Sequence, residues 1–141
     1  MTKNTPFYSA LIHMYEQAPV NQPFEPKLQI SDGAAQLEIP VSQDHFHSGG
    51  ALHGAIIFKL LDDSAFFAAQ SKEQAFFLVT ASFNIEFIRP VKQGPIMASA
   101  HIKSISKSRI IAESTLYNTN KKTIAFGTGT FMKSNITLNS I

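Results

Sequence analysis

Asp62 stands in the middle of a strongly apolar stretch, GAIIFKLLDDSAFFAAQ over residues 54–70. A carboxylate there is costly to bury unless it is paired or used. On a helical wheel at about 100° per residue, Lys59, Asp63 and Gln70 share a narrow polar stripe. Lys59 and Asp63 are four apart, the spacing of an ordinary solvated ion pair worth about a few tenths of a kcal/mol. Asp62 lies about 60° off that stripe, beside Ala55, Ala65 and Ala69. Small neighbours leave a groove where a ligand or a second backbone can come close. An acid so placed can attack an ester-type carbonyl or activate water against it. The plainer alternative is a rim carboxylate paired to a donor on a neighbouring chain.

The segment before it, His45-Phe46-His47-Ser48-Gly49-Gly50-Ala51-Leu52-His53-Gly54, is rich in Gly and His. Gly54 in a first helical turn exposes backbone N–H groups where the helix dipole adds positive charge, a place that suits an oxyanion. Gly49 and Gly50 also read simply as a tight turn. Gly54 and Asp62 are about 12 Å apart along one helix, yet a donor and an acid must each come within about 3 Å of a reacting carbonyl. One helix cannot supply both to the same carbonyl. Two antiparallel copies can, provided both residues act in one reaction, and the spacing then predicts a symmetric homo-oligomer with shared sites. His45, His47 and His53 form an H-x-H-x5-H set, but no acid in the loop completes a ligand sphere, so no metal is expected.

The elements that must hold these residues follow from periodicity. Thr5 to Gln17 reads as a short helix, with Pro6 in its first turn and Leu11, Met14 and Tyr15 on one side. Phe24 to Ile30 and Ala35 to Val41 read as strands joined by a turn at Ser31-Asp32-Gly33. The central helix runs from His53 to about Ser71. Phe76 to Ile88 then alternates with period two, placing Val79, Ala81, Phe83, Ile85 and Phe87 on one face. Ile96 to Ser106, Arg109 to Asn118 and Thr123 to Lys133 read as three more strands. Four consecutive strands predict an antiparallel meander curled around the apolar helix, an α+β architecture. The Phe residues, including Phe66, Phe67, Phe83 and Phe87, read as core or interface.

Composition narrows the function. The 141 residues read as a single domain, 1–141. There is no Cys, which excludes a Cys nucleophile, a thiolate zinc site and a disulfide scaffold. The net charge of +2 is too small for an electrostatic nucleic-acid binder but suits a modest anionic ligand. No apolar run reaches the length of a membrane span and no targeting segment is visible, so a cytoplasmic protein is expected.

The joint spacing of Gly50, His53-Gly54 and Asp62 resembles the core pattern of hotdog-fold acyl-CoA thioesterases of the phenylacetate-pathway-like group. Ala55 stands where a second Gly is usual, and His47 where an Asn is usual. Thr80 to Pro90, TASFNIEFIRP, resembles the strand after the family's helix, and Gly94 and Ser108-Arg109 match loosely. The resemblance covers about residues 34–133. It implies a hotdog fold, a long helix wrapped by a curled antiparallel sheet, in dimers joined edge to edge and often in tetramers. It implies hydrolysis of an acyl-CoA thioester at the dimer interface, with no cofactor. Asp62 is then nucleophile or general base, and the Gly54 N–H polarises the carbonyl from the other subunit. His53 shapes the helix start, Thr80 orients water, and His47 holds the carbonyl or water in place of the amide. Gly50 and Ala55 lie against the substrate. Arg89 and Arg109, with Lys92 and Lys107, sit at strand ends where a nucleotide could lie, although solvated turn charge is the plainer reading.

Two rivals share the fold. A 3-hydroxyacyl thioester dehydratase would match at His45-Phe46, but Lys59 stands where its catalytic Glu belongs. A non-catalytic acyl-CoA or fatty-acid binding protein would keep an apolar tunnel, yet has little reason to keep Asp62 beside it.

Overall fold

In the computed structural model, residues 5–140 are described. Helix α1 (Thr5–Gln17) starts with Pro6 in its first turn, where a missing N–H costs nothing, and buries Tyr8, Leu11 and Tyr15. A 3₁₀ turn, Gln22–Phe24, carries Pro23 and ends at Glu25 in the left-handed region, with φ 49°. Strand β1 (Lys27–Ser31) therefore begins three residues later than alternation predicts, because Pro23 favours a helical first turn over a paired strand. Gly33, at φ 74°, makes the turn into β2 (Ala34–Ile39).

Helix α2 (Gly54–Gln70) is the axis of the molecule. Strands β3 (Phe76–Phe87), β4 (Ile96–Ile105), β5 (Ile110–Tyr117) and β6 (Thr123–Thr137) complete one antiparallel sheet in the order β1-β2-β4-β5-β6-β3. The expected four-strand meander is thus corrected. Only β4, β5 and β6 form one, and β3 pairs with β6 at the far edge rather than with β4. The connection 88–95 crosses the start of α2, where the Leu52 N–H donates to the Val91 carbonyl at 2.8 Å. This crossing carries the chain back to β2 and lets the sheet curl around the helix. Strand β6 also runs on to Thr137, beyond the predicted Lys133, because its end pairs with Phe76.

The concave face meets α2 through Leu60, Leu61, Ala65 and Ala68, packed with Leu37, Ala98, Leu116 and Phe131. A buried hydroxyl pair, Ser64 and Ser114 at 2.6 Å, ties helix to sheet. Opposite Phe83, β6 carries Gly127 and Gly129, where an added Cβ would strike the Phe83 ring at 2.6 Å.

Gln70 does not belong to the exposed polar stripe. It is fully buried, donates to the Glu73 and Phe76 carbonyls, and accepts from the Leu78 N–H. It fastens the turn from α2 into β3, a role wheel geometry cannot display because its partners come after the helix. Among the described residues no helix is long and apolar enough to cross a membrane.

Candidate active site

Asp62 projects from the middle of α2 toward β3, where the Thr80 hydroxyl donates to its Oδ1 at 2.8 Å. The ladder between β3 and β6 shifts register between Thr80 and Ser82, and such a shift re-aims side chains locally. Burial pushes the Asp62 carboxyl above the usual carboxylate range, and the Asp63 charge adds to the rise. The Thr80 hydrogen bond and Lys59 oppose it, and the net direction is upward.

Asp63, one residue on, has a different environment. Lys59 Nζ lies 2.7 Å from its Oδ2, and the Tyr15 hydroxyl donates to the same oxygen at 2.7 Å. Lys59 also donates to Asn21 Oδ1 at 2.6 Å. The expectation of a solvated surface pair is corrected here: the two side chains are only 21% and 18% exposed, because α1 and the turn after it fold over them. The Tyr15 hydroxyl is in turn pushed far above its ordinary pKa, first by burial and then by Asp63.

Beside these groups runs a cleft of about 940 Å³ between α1, α2 and β3. Asp62 and Thr80 lie on its wall with Met14, Phe66, Phe77 and Val79. Phe66 and Phe67 face this cleft as well as the core, which widens the role their sequence positions suggest.

The start of α2 is built differently. His53 is its N-cap, and its Nδ1 accepts the Ala55 N–H at 2.9 Å, which puts the neutral ring's proton on Nε2. The Ala55 N–H is therefore taken, whereas the Gly54 N–H has no acceptor among the described residues. Gly54 packs under Phe87, whose ring would lie 3.3 Å from an added Cβ. His47 Nδ1 accepts the Gly49 N–H at 2.9 Å, and Gly50, at φ 84°, completes the tight turn between His47 and Ala51. His45 stacks on Phe24 with ring centres 4.7 Å apart. Among the described residues no three His, Asp or Glu side chains converge as a metal ion requires.

The protomer thus gathers the sequence candidates into two groups. Asp62 and Thr80 meet in the cleft. His47, Gly50, His53, Gly54 and Ala55 meet at the helix start, and Arg89 belongs to that end, its guanidinium donating to the Thr123 carbonyl at 2.9 Å. Arg109 lies in the β4–β5 turn at the opposite end, where its carbonyl accepts the Ser106 N–H. From Ile110 to Tyr117, β5 spans about 23 Å, which separates the two arginines within one chain. Sequence reasoning missed Tyr15 and Asn21. The helical pattern of α1 placed Tyr15 on an apolar side but gave no sign that its hydroxyl would reach Asp63.

The sequence profile of the Thioesterase superfamily matches residues 49–125, a span that includes the helix start, Asp62 and Thr80. This chain belongs to the Thioesterase superfamily. It is 25% identical over 104 residues to a protein of Saccharolobus solfataricus described as "Putative esterase", covering 74% of this chain and 69% of that one. The matched segments span from 60% to 75% of the curated relatives' own lengths. Among solved structures, the PaaI protein of the Escherichia coli phenylacetic acid degradation operon superposes with a TM-score of 0.85 at 21% identity, over 95% of this chain and 97% of that one. A PaaI mutant from Thermus thermophilus superposes with a TM-score of 0.75 at 23% identity, over 83% and 100% of the two chains. These likenesses fix the fold of this thioesterase-superfamily member as the hotdog fold.

Proposed function

We propose that this chain hydrolyses an acyl-CoA thioester to a free acid and CoA, with Asp62 as the acting carboxylate at a site shared between two copies. The observation that carries the reading is Asp62 itself: a carboxylate held by Thr80 on the wall of an apolar cleft, where burial shifts it upward and so favours its holding a proton it has taken. Membership of the superfamily supports thioester hydrolysis as the reaction class.

The shared site is the geometric part of the proposal. Strand β3 is a long edge strand with exposed Val79 and Phe87, and an unpaired edge of this kind is a template for a second chain. Antiparallel pairing of β3 with its copy, in the register that sets Thr80 against Phe87 of the partner subunit, brings each acid end to the other copy's donor end. Thr80 holds Asp62, and Phe87 covers Gly54, so one pairing completes two sites.

In such a site, Asp62 takes a proton from a water held by Thr80 as that water attacks the thioester carbonyl carbon. The oxyanion rests on the N–H of the partner subunit's Gly54, whose place in the first helical turn favours negative charge. The C–S bond then breaks, and the departing CoA thiolate takes the proton back from Asp62. In the covalent alternative the Asp62 carboxylate attacks the carbonyl carbon, the C–S bond breaks to expel the CoA thiolate, and water hydrolyses the resulting anhydride to the free acid and the restored carboxylate, its released proton going to the thiolate. His47 keeps its Nε2–H to donate in place of the amide the family usually has there. Arg89 of one copy and Arg109 of the other approach the same mouth, where CoA phosphates can lie.

The test is a panel of aromatic and aliphatic acyl-CoAs followed by free-thiol release, with wild type and Asp62→Asn side by side. Thiol release by the wild type and its loss in the variant support the reading. Tight acyl-CoA binding without release in either protein would assign the fold to carriage rather than catalysis.

A further inference from the structure

Lys59 lines the same cleft as Asp62 and ties several of its other wall groups together. Its Nζ reaches Asp63 Oδ2 at 2.7 Å and Asn21 Oδ1 at 2.6 Å, and lies 5.6 Å from the Tyr15 ring centre and 5.7 Å from that of Phe24. Asn21 is buried and donates to the Tyr15 carbonyl at 2.8 Å, while the Tyr15 hydroxyl donates to Asp63. These bonds fasten α1 to α2 along one wall of the cleft. An exposed i,i+4 pair needs none of these partners. Half-buried as it is, each charge would be costly without the other.

Two neighbouring carboxylates on one helix discourage each other's ionisation. A general base must be ionised to act. We propose that Lys59 is a positioning residue for the reaction: it cancels the charge of Asp63 and holds the α1 wall, so that Asp62 alone is left as the acting carboxylate. The inference rests on the reading of Asp62 as that carboxylate. The directions agree, since Asp63 raises Asp62 and Lys59 lowers it. The other titratable groups of the cleft are Tyr15 and His13, both on α1, and β3 contributes only uncharged side chains to it.

The test follows the Asp62 carboxyl by ¹³C NMR through a pH titration of the full chain, a readout that does not need turnover. Lys59→Met is expected to move the Asp62 titration upward by about one pH unit, and Asp63→Asn to move it downward. Lys59→Met combined with Asp63→Asn should return toward the wild-type midpoint, and Lys59→Arg should keep that midpoint. The acid limb of kcat/KM should move with the NMR midpoints. An Asp62 midpoint unmoved by Lys59→Met, or a shift that Asp63→Asn fails to reverse, overturns the proposal. If Lys59→Met does not fold, Asp63→Asn alone decides, with an unmoved midpoint counting against. Failure of the underlying reading has a separate signature, full thioester hydrolysis by Asp62→Asn.

Discussion

The start and the middle of α2 belong to one helix and treat negative charge in opposite ways. At the start, His53 caps the helix and consumes the Ala55 N–H, and the Gly54 N–H is left without an acceptor among the described residues. In the middle, Asp62 offers an acceptor in an apolar cleft, and a neighbouring ion pair absorbs the second carboxylate. The helix dipole makes the start a place for an oxyanion, whereas burial makes the middle a place where an acid holds its proton more readily. On the proposed reading, neither end forms a site by itself. About 12 Å of helix keeps donor and acid from one carbonyl, and the long β3 edge offers the surface across which they could meet.

Changes in the middle of α2 should cost activity most. Asp62→Asn should lower kcat/KM for the best acyl-CoA by about 10² to 10⁴-fold, the range of general-base work. Its stability should move the other way. The folded-state pKa of Asp62 is raised, so ionising it opposes folding at any pH above that pKa. Asp62→Asn should therefore raise Tm at neutral pH, and the gain should fade as pH falls through the folded pKa toward the ordinary carboxylate value. Circular-dichroism melts across pH check this, and a lower Tm at neutral pH would mean that burial does not oppose the Asp62 charge.

Next comes the start. Gly54→Pro removes the donor while proline is tolerated at the first helical position, and the loss in kcat should be about 10² to 10³-fold. Full turnover in a folded variant would show that the start supplies no donor. A smaller effect belongs to Thr80→Val, about tenfold in kcat/KM, with the acid limb of the pH profile moving upward because Asp62 loses a bond to its charged form. The smallest is His53→Ala, which removes the helix cap and should cost about 1 kcal/mol in denaturant unfolding.

Much of this was legible in the residues and some was not. The misplaced Asp62 and the Gly-rich helix start stood out because each breaks a local pattern. The strands from Phe76 onward were readable from alternation. Alternation says which residues form a strand but not which strand lies beside it, so the place of β3 next to β6 could not be read. The same limit hid the surroundings of Lys59 and Asp63. Their spacing is that of a surface pair, and only the packing of α1, far away in sequence, buries them. Gln70 misled for a similar reason: a helical wheel counts its polarity but not the backbone groups that come to meet it.

In the proposed site the acid and the donor come from different copies of the chain. Mixing Gly54→Pro and Asp62→Asn subunits, each inactive by itself, puts this sharing to the test. A heterodimer of the two contains one site with both native residues, so isolated heterodimers should recover about half of the wild-type turnover. Isolated heterodimers as inactive as their parents would mean that Asp62 and Gly54 do not meet across two copies.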